Sequence, residues 1–188
     1  MAMVCCEGGR VAMNVKFLNP FVEAAAEVLE KEVAVTVKRG NLTMQATAMT
    51  TDEVTVLINL VGQVQGVVLY CMPFSTGLNM VSQMMGQKFT EFDTLAQSGV
   101  SELGNVITGR ATIKLSRAGY QSNISPPTMI IGQGIQISTL DFSRIVVPIQ
   151  TELGNMTVHL ALRETPPGMH IGNNVELTSP KDAHQVEG

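Results

Sequence analysis

An α+β fold, with long helices laid in one layer on an antiparallel sheet, is what this sequence predicts. Three observations lead there. Runs with two-residue alternation fill residues 33–73 and 129–163. Apolar residues recur at helical spacing in two separate stretches. Short Gly, Asn and Pro turns join the strand-like runs directly, without the alternation of strand and helix that builds a parallel sheet.

Taken in order, the first ordered-looking element is a helix. Asn19-Pro20 reads as its start, with Asn as N-cap and Pro in the first helical position. Phe21, Ala24, Ala25, Val28 and Leu29 follow on one face. Residues 33–38 alternate as a strand does, and Arg39-Gly40-Asn41 is a turn. Strand-like runs 42–50 and 53–61 flank Thr51-Asp52, and Gly62 and Gly66 bracket a turn into a fourth run ending at Pro73. Residues 33–73 are therefore expected to form a four-stranded meander. Ser75 is a candidate cap for a short Met-rich helix with Leu78, Val81, Met84 and Met85 inward and Gly86 as its stop. Thr90 is a candidate cap for a longer helix ending near Arg117, closed by Gly119. Strand candidates 129–131, 134–140, 144–151 and 156–163 complete the pattern, with a turn at Leu153-Gly154-Asn155.

Composition bounds the rest. The chain has 188 residues, 45% of them hydrophobic, and a formal net charge of −4. That is the profile of one globular domain. With no Trp and 12 Met, its core has to be aliphatic and padded with Met. Sixteen acidic against twelve basic residues, with no basic cluster and no aromatic interleaving, argue against nucleic-acid binding. Cys5, Cys6 and Cys71 are odd in number and lack metal or disulfide spacing, so reduced thiols of a cytoplasmic protein are expected. No apolar run reaches the roughly 18 residues of a membrane helix, and no secretory signal is visible. Residues 1–13 read as a loose extension, 14–164 as the domain, and 165–188, rich in Pro, Gly and Asn, as a tail.

The tetrapeptide Glu-Leu-Gly-Asn occurs twice, at 102–105 and at 152–155. The second copy lies between two strand candidates and reads as a hairpin bend. The first lies inside the long helix. At about 100° per residue from Ser98, Glu102 falls at about 40° and Asn105 at about −20°, so the three form a ladder on a polar stripe. Thr94, Ser101, Gly109 and Thr112 share that stripe. Leu95, Ala96, Val100, Leu103, Val106 and Ile107 are expected on the buried side. Asn and Gly are poor helix formers, Gly by about 1 kcal/mol against Ala, and Gly109 sits one turn from Asn105. A solvated face would use Lys, Glu or Ala there, whereas a face that docks a partner closely tolerates that cost. Among other candidates, Cys71 and His159 fall in apolar strands, His170 and His184 in the tail, and Gly132-x-Gly134 reads as a turn.

Ser98-x-x-x-Glu102-x-x-Asn105 resembles the signature of the CheC/CheX-type chemotaxis phosphatases. Neighbouring features are similar too: the Asn-Pro-Phe start of the first helix, the Gly62…Gly66 hairpin, Ser125–Thr128 and the strand pair around Glu152. The CheC type carries two such motifs. Here the first helix offers Glu23, Glu27 and Glu30, but no Asn stands three residues after any of them, which is the CheX pattern. The resemblance implies a CheC/CheX-like fold, a homodimer with sheets continued across the interface, and dephosphorylation of a phosphorylated CheY-like response regulator. It also implies roles. Asn105 would orient the attacking water, and Glu102 would pair with a lysine of the regulator. Ser98 would help docking, and Gly109 would leave open space beside Asn105 for the partner. Mg2+ would come with the regulator, this chain having no cofactor of its own. The other reading is a catalytically silent regulator-binding module of the flagellar-switch type.

Overall fold

A computed structural model describes residues 15–45, 48–138 and 143–166. A single 3-10 turn, Val15–Phe17, leads into α1, Leu18–Glu32. Strands β1 (Lys38–Arg39), β2 (Thr43–Gln45), β3 (Ala48–Thr50), β4 (Val54–Gly62) and β5 (Val64–Met72) follow. Helices α2 (Phe74–Met85) and α3 (Thr94–Arg117) come next. Then come β6 (Ser122–Ile124), β7 (Thr128–Ile131), β8 (Gln136–Ser138), β9 (Arg144–Thr151) and β10 (Gly154–Glu164).

Eight of the strands make one antiparallel sheet in the order β1, β9, β10, β5, β4, β6. β2 also pairs with β9, and β7 with β4. Two-residue alternation sends Val54, Val56 and Ile58 of β4 to the same face as Val68 and Tyr70 of β5 and Val158 and Leu160 of β10, all buried. Helices α1 and α3 lie on that face, α1 through Phe21, Ala24, Ala25, Val28 and Leu29. This is the expected α+β architecture. On the opposite face Leu69 and Cys71 are covered with the help of Ile137, which comes from a separate β3–β8 ribbon.

Several expectations give way. The meander of 33–73 is not one: only β4 and β5 are neighbours in it, while β1 and β2 both join β9. Residues 33–37 form no ladder. Val33 and Val35 are buried, but Ala34 at φ 55° breaks the extended run between them. The run 42–50 divides into β2 and β3, which have different partners. The β4–β5 turn has Gln63 at its apex, since Gly62 ends β4 and Val64 begins β5. Gly66 is inside β5, where a Cβ would stand 2.0 Å from the Ala161 carbonyl oxygen, so its need is close approach of β10. Residues 134–138 yield strand only from Gln136.

Helix starts are also displaced. Asn19 and Pro20 are the second and third residues of α1 and Phe17 is its cap, tolerable because Pro20 lacks an N–H that would have no partner in the first turn. Pro73 rather than Ser75 precedes α2, and the Glu53 carboxylate accepts from Phe74 N at 2.7 Å. Asp93 rather than Thr90 caps α3, its Oδ1 accepting from Ala96 N at 2.8 Å. In α2, Thr76, Gly77, Met80 and Val81 are buried, Leu78 and Met84 are half-buried, and Met85 is exposed. The stops fall as expected, Gly86 at φ 64° and Gly119 at φ 93°. Thr165 is tied back to the β4–β5 turn, its N–H donating to the Gln63 carbonyl at 2.8 Å and its hydroxyl to that of Gly62.

Candidate functional site

The site is a ridge, the outward face of α3, and its direction is set from below. Gly104 lets the helix sit low: a Cβ there would be 3.1 Å from Val56 Cγ1 and 3.2 Å from Tyr70 Cδ2. Beside it, the Thr108 hydroxyl donates to the Gly104 carbonyl at 2.8 Å and is 2.8 Å from the Tyr70 hydroxyl. Since Thr108 has one proton and the carbonyl can only accept, Tyr70 donates to Thr108. Burial raises the Tyr70 pKa far above its usual value, which keeps that proton in place. A buried, fully paired polar chain thus fixes the rotation of α3. Lys114 ties the helix to α1, reaching Glu27 at 2.6 Å and Glu23 at 3.1 Å. Glu23 and Glu27 of the first helix therefore serve that bridge.

With the rotation fixed, the ladder points outward. Ser98 and Glu102 are exposed and Asn105 is half-buried. The Ser98 hydroxyl donates to the Thr94 carbonyl at 2.9 Å. Asn105 Nδ2 stands 3.4 Å from Glu102 Oε2, at the long end of hydrogen-bond range. Amide and carboxylate are side by side yet little committed to each other. A Cβ on Gly109 would meet nothing within 4 Å, so the space beside Asn105 is open. The structure brings Ser98, Glu102, Asn105 and Gly109 onto one surface.

An open cleft of about 560 Å3 lies beyond the C-terminal end of α2, lined by residues that include Asn79, Ser82, Lys88, Phe89 and Leu153, and no member of the ladder touches it. A half-buried carboxamide and an exposed carboxylate outside that cleft are open to another molecule's surface. Among the described residues no three His, Cys, Asp or Glu side chains gather to hold a metal ion.

The second tetrapeptide copy folds otherwise. Glu152 and Leu153 form a two-residue hairpin turn, with Gly154 paired to Thr151 and Asn155 exposed in β10 opposite Gln150. Gly154 is at φ 132°. Glu152 accepts from Thr36 N at 3.0 Å, and backbone hydrogen bonds hold its pKa down. It is a structural carboxylate. His159 is buried, and burial with Arg144 nearby lowers its pKa to about 4. Burial pushes the Cys71 thiol up to about 11. Neither is poised for catalysis. Gly132 and Gly134 are turn residues at φ 135° and 76°. His170 and His184 lie outside the described residues.

Two features escaped the sequence. Leu95, expected on the buried side, is about half exposed, and Val106 is half-buried. The buried arc of α3 runs through small residues, Gly99, Gly104, Thr108 and Ala111, which turns the helix away from Leu95. The Tyr70–Thr108 pair was foreshadowed only by Gly104 and Thr108 standing four apart.

The sequence model of a family described as chemotaxis phosphatase CheX matches residues 54–150. A CheY-P phosphatase CheX of Thermotoga maritima is 27% identical over 128 residues, 68% of this chain and 83% of that protein. A CheC-like superfamily protein from Shewanella sp. PV-4 has a TM-score of 0.73 at 27% identity, covering 80% of this chain and 99% of its own. The CheX–CheY–BeF3–Mg2+ complex from Borrelia burgdorferi gives 0.69 at 26% identity, with coverage of 80% and 100%. With that family matched over more than half its length, and with the helix ladder facing outward, the chain belongs to the CheX family of chemotaxis phosphatases.

Proposed function

We propose that this protein ends a chemotaxis signal by hydrolysing the aspartyl phosphate of a CheY-like response regulator. One observation carries the site assignment: the Glu102 carboxylate and the Asn105 carboxamide stand together on an open ridge, beside the space left by Gly109. An acyl phosphate is intrinsically labile, so positioning does most of the work. Asn105 accepts from and donates to one water, holding its oxygen in line with the phosphorus. As the bond from that oxygen to phosphorus forms, the bond from phosphorus to the regulator's carboxylate oxygen breaks, and the carboxylate leaves. The water's proton passes to phosphate or solvent. Glu102 pairs with a lysine of the regulator and anchors the ridge, while Ser98 and Gly109 permit close approach. In this reading Mg2+ belongs to the regulator.

Timing inorganic phosphate release from a phosphorylated CheY-type regulator with and without the protein tests this. Acceleration is expected. Binding without acceleration would instead leave the silent flagellar-switch type of module. The same reading places the protein in the cytoplasm, in keeping with the absence of a membrane-length apolar helix among the described residues. It also makes the protein a homodimer joined through sheet edges. The outer strands β1, β2, β6 and β7 are short, and β2 presents an exposed Met44.

A further inference from the structure

Beyond the ladder itself, α3 carries an exposed face unlike that of a solvated helix. The exposed residues of α1 are Asn19, Glu23, Glu30, Lys31 and Glu32, all polar and mostly charged. Along α3 from Thr94 to Ile113 the exposed residues are Thr94, Leu95, Ser98, Glu102 and Ile113, with Glu102 the one charge. Leu95 is 48% exposed and Ile113 55%. Both lie at about 60° from Ser98 on the helix, on the same side as Glu102. Met85 of α2, 40% exposed, adjoins the Leu95 end, its Cε 3.3 Å from where a Cβ of Gly99 would be. At about 1.5 Å per residue, Leu95 and Ile113 are about 27 Å apart, with Asn105 about 15 Å and 12 Å from them.

We infer that Leu95 and Ile113 are the apolar ends of a docking footprint that seats the phosphorylated receiver domain lengthwise on α3, and that they set affinity rather than chemistry. This rests on the hydrolysis reading above for the identity of the partner. The outward face of α3, whose ladder residues do not line the cleft beyond α2, suits a folded partner that supplies a cleft, not an extended peptide. One carboxylate amid small side chains complements a single cation in that cleft. Apolar contacts at both ends exclude water around the central polar groups, the arrangement in which such groups act most strongly. The footprint is continuous with the ladder because the same helix carries both.

The test titrates a CheY-type receiver domain from the same organism, loaded with beryllium fluoride and Mg2+, against wild type, Leu95→Gln, Ile113→Gln and the double variant. Gln is a good helix former, so folding should persist. Should a variant melt early, Leu95→Ala and Ile113→Ala replace it. Kd is expected to rise on the order of fivefold for each single change and more for the pair, with phosphate release at saturating regulator unchanged. Val61→Gln, a comparably exposed apolar residue at the end of β4, should leave Kd alone. A folded double variant with wild-type Kd would overturn the footprint even if hydrolysis is normal, as would a wild type that does not bind. Weakened variants of a wild type that binds without hydrolysing would keep the footprint and remove the hydrolysis reading.

Discussion

Replacing Asn105 and Asn155 in turn by Ala separates the two Glu-Leu-Gly-Asn copies. The side-chain hydrogen bond of Asn105 is the long 3.4 Å approach to Glu102, which contributes little. Ala is the better helix former by about 0.5 kcal/mol, so Asn105→Ala should raise the melting temperature by about 1–2 °C. Phosphate release from the regulator should nevertheless fall on the order of a hundredfold, about 2.7 kcal/mol of lost transition-state stabilisation, because the water is no longer held in line. Asn155 lies exposed in β10 with no positive φ, so Asn155→Ala should change stability by no more than about 0.5 kcal/mol. Its turnover should equal wild type. Single-turnover phosphate release, with thermal melts of both variants, makes the comparison. Equal losses of activity in two folded variants would refute the assignment, and full activity in Asn105→Ala would remove the catalytic role.

Gly104→Ala sets about 1 kcal/mol of helix propensity against overpacking by about 1–3 kcal/mol where the new methyl meets Val56 and Tyr70. A net loss of stability together with slower phosphate release is expected, and an unchanged melt would show that α3 does not seat through Gly104. His159 has its pKa lowered from 6.5 to about 4, so the fold favours the neutral ring. Its contribution is complete above pH 6.5 and is lost as pH falls towards 4, with a slope of up to about 1.4 kcal/mol per pH unit. Urea titrations across that window should show a shallower slope in His159→Gln. Light scattering over a dilution series should give twice the chain mass, and a monomer at micromolar concentration would contradict the dimer.

What the sequence determined by itself is what local geometry determines. The buried face of α1 was readable because Phe21, Ala24, Ala25, Val28 and Leu29 repeat at the helical period, and burial follows period directly. The outward stripe of α3 was readable for the same reason: once 94–117 is helical, Ser98, Glu102, Asn105 and Gly109 share a face. The Gly154 hairpin was readable from turn chemistry, which separates Asn155 from Asn105 despite identical neighbours. Tertiary structure decided the rest. Two-residue alternation says which face of a strand is buried but not which strand lies beside it, so the pairing of β1 and β2 with β9 could not be seen. At the starts of α2 and α3 the capping candidates Ser75 and Thr90 gave way to Pro73 and Asp93, through contacts or backbone geometry outside the periodic pattern. The exposure of Leu95 depended on how far α3 rolls on the sheet. That angle is fixed by close approach at Gly104 and by the hydroxyl pair of Tyr70 and Thr108, residues 38 apart in the chain that meet only after the sheet and helix have packed.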